Sequence, residues 1–264
     1  MPVKKDANGQ RYVEAEVEVP GTPEEVWRAI ATGNGISSWF VPSTVEERVG
    51  GAAKANFGPG MESAATIKTW NPPQSFSIET EEEPPGKVAT EWTVEARAGG
   101  TCVVRVVHRW FASTDDWDAQ FEGHTYGWIA FFRILRLYLM HFAGQCCSMF
   151  QLGAFSKASK PETWRSVMSA LRIDEKKRQA VSTPGVPVLS GAVERIGEEA
   201  FPEELLLRLD RPGPGLVHMF VMAMGGTVMV SIRFFFYGDQ GAAAAATTER
   251  DWTNWLAAKF PAEA

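Results

Sequence analysis

Residues 128–143 read WIAFFRILRLYLMHFA, and this apolar stretch decides the fold that the rest of the sequence predicts. It is shorter than the ~20 residues that a membrane-spanning helix needs, and Arg133 and Arg136 interrupt it, so no membrane association is expected. At about 100° per residue its large apolar side chains fall on one broad face. That face comprises Trp128, Phe131, Phe132, Leu135, Tyr138, Leu139 and Phe142. The stretch therefore predicts a buried helix that begins at Trp128.

The residues before this helix predict an antiparallel sheet. In Tyr12–Val19, small apolar residues alternate with glutamates, as in a strand with one solvent-exposed face. Thr22, Pro23 and Glu25 then form a capping-box pattern that opens a helix, and a short second turn follows around Ile36–Phe40. Six further strand-like runs are bounded by Gly- or Pro-rich turns typical of hairpins. These runs are Thr44–Val49, Ala52–Phe57, Glu62–Trp70, Ser75–Glu81, Lys87–Arg97 and Thr101–Ala112. The order of elements indicates an α+β fold.

The second half of the chain weakly repeats the first. Ser159–Arg165 resembles Thr22–Arg28 in its capping residue, its early Pro and Glu, and its Trp-Arg pair. We expect a polar connection over Asp174–Gly191, four strands and a closing helix. The strands are Ala192–Ile196, Glu204–Leu209, Gly215–Met224 and Thr227–Tyr237, and the helix is Ala242–Phe260. The sequence thus predicts a first domain over residues 1–148 and a smaller, truncated α+β domain over 149–264 with several strands missing. A degenerate second copy, a lid and a dimerisation element remain open for it.

Composition narrows the function classes. The chain has 264 residues, a formal net charge of -6 and a sequence pI near 5.4, which argues against a nucleic-acid partner because such proteins present a basic face. Three cysteines without a CxxC pair are typical of a reduced protein. The first ten residues contain no apolar signal segment. A cytoplasmic protein is expected.

Several motifs resemble a known superfamily. They are residues 17–40 (VEVPGTPEEVWRAIATGNGISSWF), the turn Val49-Gly50-Gly51, Trp70-Asn71-Pro72, the strand end His108-Arg109-Trp110, and His124–Trp128. Over about residues 11–143 they resemble the SRPBCC superfamily of START and Bet v 1-like helix-grip proteins. Within it the chain is similar to the bacterial-type heat-shock-protein-90 ATPase activator homologues. The resemblance implies a curved antiparallel sheet wrapped on a long C-terminal helix, with a hydrophobic tunnel between them that binds lipids, sterols, polyketides or other apolar molecules.

The strand patterns indicate which residues would line that tunnel. Alternation places Trp92 on one face of its strand and His108 and Trp110 on one face of the next, so that they meet on the concave side. An apolar lining with few polar groups is typical of a small-molecule pocket. The predicted ligand-binding set is Trp39, Phe76, Ile78, Trp92, His108, Trp110, His124, Trp128, Phe132 and Leu135.

The two histidines admit more than one interpretation. His108 is a ligand contact, a general base or a hydrogen-bonded core residue, and His124 stands just before the predicted helix start, where it contacts a ligand at the tunnel mouth or packs. The sequence places no carboxylate beside either one, so no catalytic residue is assigned. The acidic run Asp115–Asp118 lacks the glycine and distal glutamate of a calcium loop, so neither a metal nor a cofactor is expected.

These observations favour a non-enzymatic protein that binds a hydrophobic small molecule between sheet and helix. One alternative is a protein-interaction module similar to a chaperone co-factor, or a module that self-associates. Another is an enzyme similar to polyketide cyclases and aromatases, in which His108 or His124 handles protons.

Overall fold

The computed structural model describes residues 3–5, 11–58, 62–80, 87–110, 118–198, 201–224 and 226–261, with the backbone alone for residues 118–126. The chain divides into two compact units, Met1–Gly144 and Gln145–Ala264. The boundary expected after residue 148 lies inside a strand of the second unit, Cys147–Ser156, so the division comes four residues earlier.

The first unit is an eight-stranded antiparallel sheet with three helices. Its strands are β1 (Lys4–Lys5), β2 (Arg11–Pro20), β3 (Ser43–Val45), β4 (Ala52–Asn56), β5 (Glu62–Asn71), β6 (Ser75–Thr80), β7 (Val88–Arg97) and β8 (Thr101–Trp110). Its helices are α1 (Pro23–Ala31), α2 (Gly33–Ser37) and α3 (Asp118–His141). The strand order across the sheet is β1-β2-β8-β7-β6-β5-β4-β3. Six of the strands, β2 and β4 to β8, follow the predicted runs closely, because hydrophobic alternation and turn residues define them locally.

Local sequence fixes the start of α1. The Thr22 hydroxyl accepts a hydrogen bond from the Glu25 backbone N–H at 3.3 Å, and the Glu25 carboxylate accepts one from the Thr22 backbone N–H at 2.9 Å. This reciprocal pair is the predicted capping box. It satisfies two backbone donors that a helix N-terminus otherwise leaves unpaired.

The long helix α3 lies against the concave face of the first sheet. Its Trp128 ring is 5.0 Å from the Trp92 ring of β7, and the Arg136 guanidinium donates to the Glu18 carbonyl of β2 at 3.1 Å. The predicted α+β helix-grip class is therefore confirmed. The predicted start of the helix at Trp128 is wrong, since α3 begins ten residues earlier, at Asp118. Gly127 does not end the helix; a glycine in a helix interior costs only about 1 kcal/mol, which packing elsewhere on the helix outweighs.

The second unit repeats this topology with seven strands. These are β9 (Cys147–Ser156), β10 (Leu171–Asp174), β11 (Gln179–Ser182), β12 (Ser190–Glu198), β13 (Phe201–Arg211), β14 (Gly215–Met224) and β15 (Thr227–Tyr237). Its helices are α4 (Lys160–Met168) and α5 (Gly241–Lys259). The order β10-β11-β12-β13-β14-β15-β9 matches β3-β4-β5-β6-β7-β8-β2 element for element. The second half is thus a second copy of the helix-grip fold.

This copy corrects the expected loss of strands. β9, β10 and β11 were not predicted, and the polar connection expected over Asp174–Gly191 contains β11. Among the described residues the copy has no counterpart of β1, and it has none of α2 because only Ser169 and Ala170 separate α4 from β10. The α4 start repeats that of α1, with the Ser159 backbone N–H donating to the Glu162 carboxylate at 3.1 Å. In the second unit the core includes Phe234 of β15 and Trp252 of α5, whose rings are 5.6 Å apart.

Candidate functional site

The register of the first sheet brings the predicted site residues onto its concave face in two rows. In the upper row, Ile78 of β6 lies opposite Thr90 of β7, which lies opposite His108 of β8. In the lower row, Phe76 lies opposite Trp92. Directly opposite residues in an antiparallel sheet share a face, so both rows point toward α3.

Aromatic rings from β6, β7, α3 and the segment after α2 meet at these rows. The ring of Trp92 lies 6.0 Å from that of Phe76 in a stacked arrangement, 6.2 Å from that of Trp39, and 5.0 Å from that of Trp128. Phe132 of α3 completes the group, with its ring 6.0 Å from that of Trp92. Edge-to-face and offset contacts at these distances are favourable for aromatic side chains. We call these five residues, Trp39, Phe76, Trp92, Trp128 and Phe132, the aromatic cluster.

A polar pair lies at the side of the aromatic cluster. The Thr90 hydroxyl and His108 Nδ1 share a hydrogen bond of 2.7 Å, and the His108 ring is 5.2 Å from that of Trp128. Thr90 is buried, whereas His108 and Ile78 are half-buried. The upper row is therefore more accessible to solvent than the lower row, in which Phe76 and Trp92 are both buried.

Three predicted residues belong neither to the aromatic cluster nor to the upper row. Trp110 is buried on the concave face but packs in a separate small group with Val13 and Val88. Leu135 is fully buried on α3, one turn beyond Phe132. His124 belongs to α3 rather than to the segment before it, and its side chain lies outside the described residues.

Two residues that contribute to the site were not predicted. Thr90 alternates with Trp92 along β7, so the strand pattern already held the signal for its position. Phe40 follows α2, and its ring stacks on Trp128 at 5.2 Å and meets Phe131 edge-on at 4.3 Å. Nothing in the sequence separates Phe40 from an ordinary core aromatic.

Where described residues of the sheet and of α3 meet, packed side chains fill the space in which an open tunnel was expected. Trp39 is completely buried, and Phe132 and Phe76 are 2% and 3% exposed. Two open surface pockets of about 200 and 180 Å³ are present among the described residues, and both lie in the second unit. The first is lined by Ile173, Val193 and Ile196 with Glu175 and Arg178, and the second lies beside the start of α5. The physical reason is that large aromatic residues on the concave face fill the hollow that smaller ones would leave open.

Cys102 lies on the same concave face, at the end of β8 opposite to His108 and Trp110. It is completely buried, and its thiol lies 3.4 Å from the Gly21 carbonyl. Burial raises the pKa of the Cys102 thiol, with a smaller contribution from Glu24 and Glu25. The residue is therefore a protonated, unreactive core thiol at neutral pH.

The described residues contain neither a metal-binding cluster nor a membrane-spanning helix. No group of three or more His, Cys, Asp or Glu side chains within them is arranged to bind a metal ion. Within the same residues, no helix has the length and apolar character needed to cross a bilayer.

Comparisons with known proteins support the family resemblance. Residues 10–133 match the family described as polyketide cyclase / dehydrase and lipid transport. No curated protein matches the chain.

Among solved structures, a protein from Mesorhizobium loti is 21% identical, with a TM-score of 0.45 over 50% of this chain and 98% of its own. The di-domain ARO/CYC BexL from the BE-7585A biosynthetic pathway is 15% identical, with a TM-score of 0.47, and the match covers 96% of this chain and all of BexL. The Aha1 dimer from Colwellia psychrerythraea is 18% identical, with a TM-score of 0.43 over 50% of this chain and 98% of that one.

The resemblance of the first unit to the SRPBCC superfamily is confirmed, whereas its assignment to the heat-shock-protein-90 activator branch stays a prediction. Over residues 10–133 the chain is similar to the polyketide cyclase / dehydrase and lipid transport family of that superfamily.

Proposed function

We propose that the first unit binds a hydrophobic, flat small molecule against the aromatic cluster without transforming it. The observation that carries this proposal is the Thr90–His108 pair, a hydrogen-bonding group set beside stacked aromatic rings on a largely apolar face. Such a combination gives a ligand both a surface to stack on and a polar group to orient it. The family match over residues 10–133 supports the same class of ligand.

Entry is proposed along the upper row. Ile78 and His108 are half-buried there, whereas Trp92 is only 6% exposed in the lower row. Because the rings of the aromatic cluster occupy the hollow, a ligand binds by turning Trp128 and Trp92 aside rather than by entering an empty space.

The energies are consistent with such a displacement. A ligand that buries roughly 300 Å² of apolar surface gains about 7 kcal/mol at 25 cal/mol per Å². Holding a side chain off its preferred rotamer costs about 0.5–1.5 kcal/mol. The displaced rings also lose part of their own packing, so binding requires a flat ligand that restores these aromatic contacts in the same space.

A second candidate function rests on the same histidine. The Thr90 hydroxyl fixes the orientation of the His108 ring at 2.7 Å, which is how a general acid or base is held next to a bound substrate. This geometry supports an enzyme similar to the polyketide cyclases as the alternative. The chaperone co-factor role and the cytoplasmic location stay predictions from the sequence.

The test is a binding titration with two probes, an anthraquinone and oleate, followed by tryptophan fluorescence. We expect the anthraquinone to bind, and Thr90→Val to weaken it about threefold to tenfold through loss of one oriented hydrogen bond. Thr93→Val is the matched control, because residue 93 lies on the same strand but on the opposite face. Failure of both probes to bind, or equal losses in the two variants, would contradict the proposal.

One further variant separates the two functions. His108→Phe keeps an aromatic ring at the upper row but removes both ring nitrogens. If the protein only binds, the variant changes affinity alone. If it is an enzyme, the variant retains binding of a polyketide-like substrate and loses turnover.

A further inference from the structure

The second sheet ends in a long edge strand, β9. It runs for ten residues, Cys147–Ser156, and is the last strand in the order of its sheet. Its pairing with β15 is continuous from Cys147 opposite Tyr237 to Ser156 opposite Val228, without a bulge. The strand sequence, CSMFQLGAFS, contains neither a charged residue nor a proline.

The other edges of the two sheets are built differently. β1 has two residues, both lysines, and β3 has three residues. β10 has four residues, of which Arg172 and Asp174 are charged. Short length and charge are the features by which proteins prevent sheet edges from pairing with other chains. Of these edges, β9 alone is both long and uncharged.

Near its end, β9 presents a protruding side chain and, two residues away on the same face, an open position into which such a side chain could fit. Phe155 is 59% exposed. Two residues earlier, on the same face, Gly153 leaves open space, since a Cβ there would approach only the Val230 carbonyl, at 3.8 Å. An aromatic ring placed across from a glycine on a neighbouring strand covers the exposed backbone, and this pairing stabilises sheets.

Antiparallel pairing of β9 with β9 of a second copy would cover the exposed Phe155 ring and the open backbone at Gly153 in both chains. When Ala154 lies opposite Ala154 of the second copy, Phe155 of each chain falls directly opposite Gly153 of the other. This register keeps the faces of the two sheets aligned, whereas a slip of one residue would reverse them. The uncharged strand places no like charges opposite each other. Two-fold symmetry of this kind is the usual arrangement in homodimers.

The apolar contact continues into each sheet. Phe155 lies opposite Met229 of β15, which lies opposite Met222 of β14. Met222 is 42% exposed, so the exposed row extends over three strands. Methionine next to an aromatic ring makes a favourable contact.

We propose that the chain forms a homodimer by antiparallel pairing of β9 with β9, joining the two seven-stranded sheets into one continuous sheet. The partner is a second copy because the Phe155 and Gly153 positions complement each other only when the same strand is present on both sides. A single strand pair is a small interface, so the dimer is weak, with a dissociation constant in the micromolar range.

Sedimentation velocity of the full chain over about a hundredfold range of concentration tests the proposal. We expect a monomer–dimer equilibrium in which Phe155→Lys raises the dissociation constant by about tenfold or more, because the lysine places a charge at the edge. Val181→Lys is the control, since residue 181 is 46% exposed on β11 of the same sheet but lies away from β9. Thermal unfolding of both variants checks that they fold.

A second variant tests the register. Ala154→Cys places two thiols opposite each other at the two-fold axis, where Cα atoms of paired strands are about 4.5–5.5 Å apart and a disulfide can form. We expect an oxidised dimer band above the level given by the natural cysteines, and no such gain for Val181→Cys. A protein that stays monomeric at every concentration overturns the proposal. So does a dimer that is indifferent to Phe155→Lys and gains no cross-link from Ala154→Cys.

Discussion

Replacing Phe132 with alanine tests whether the aromatic cluster is a tight core over the concave face of the first unit. Phe132 is 2% exposed, and its ring lies 6.4, 6.0 and 5.9 Å from the rings of Trp39, Trp92 and Trp128. Truncation of a buried phenylalanine costs about 3–5 kcal/mol through lost burial and the cavity left behind. Alanine recovers about 0.5 kcal/mol through its higher helix propensity. The expected loss in free energy of unfolding is therefore about 2.5–4.5 kcal/mol.

The assay is urea unfolding, with and without indole. Indole is expected to enter the new cavity, because apolar cavities of ring size stay dry and bind aromatic molecules. At one hundred times its dissociation constant it should restore about 2.7 kcal/mol. Val49→Ala is the control, since Val49 is 60% exposed and should change stability by less than about 0.5 kcal/mol. A loss below about 1 kcal/mol, or one that indole leaves unchanged, would refute the packing described here.

Three further predictions concern positions that hold the first unit together. Trp39→Phe removes the hydrogen bond from Nε1 to the Ala29 carbonyl (2.8 Å) in a completely buried setting, so urea unfolding should show a loss of about 1–3 kcal/mol; an unchanged midpoint would contradict this. Gly35→Ala brings a Cβ within 1.9 Å of the Arg28 carbonyl and should lower the melting temperature, whereas Gly127→Ala, with nothing within 4 Å, should preserve or raise it. Because burial raises the pKa of Cys102, a thiol reagent at pH 8 should modify only two of the three cysteines until the chain is unfolded. The same shift means that stability falls as pH rises above about 8.5, where the unfolded thiol ionises first, so a folded protein with three reactive thiols or with constant stability through pH 10 would contradict it.

Much of the first unit could be predicted because its signals are local. The Thr22–Glu25 capping box fixes the start of α1, and alternation fixes most strands to within one or two residues. β3 is the exception, since it ends at Val45 rather than Val49. The chain turns there, and Gly50 adopts a left-handed φ of 76° that a continuing strand would not allow.

The second unit was harder to predict because several of its strands carry weak patterns. β9 has no charged residue on either face, so it shows no apolar–polar alternation. β10 and β11 have four residues each, which is too short for a periodic signal. The Ser159–Glu162 start of α4 was the clearest sign of a repeat, and the strand order confirms it.

For the candidate site, the sequence predicted which residues share a face but not how their side chains pack. Alternation correctly placed Trp92, Phe76 and His108 on one face of the sheet. It could not determine whether the rings line a space or fill it, because that depends on rotamers and on the contacts of α3. The role of Thr90 depends on register, which brings it opposite His108 and is not visible in either strand alone.

The central claim is that an apolar ligand binds at the aromatic cluster of the first unit. The most direct measurement is the 1H–15N spectrum of the ten tryptophan indoles during titration with the anthraquinone, with assignments from single Trp→Phe variants. The account predicts saturable shifts for Trp92 and Trp128, and unchanged positions for Trp252 and Trp255 of the second unit. Shifts confined to the second unit, or none at saturating ligand, would contradict it.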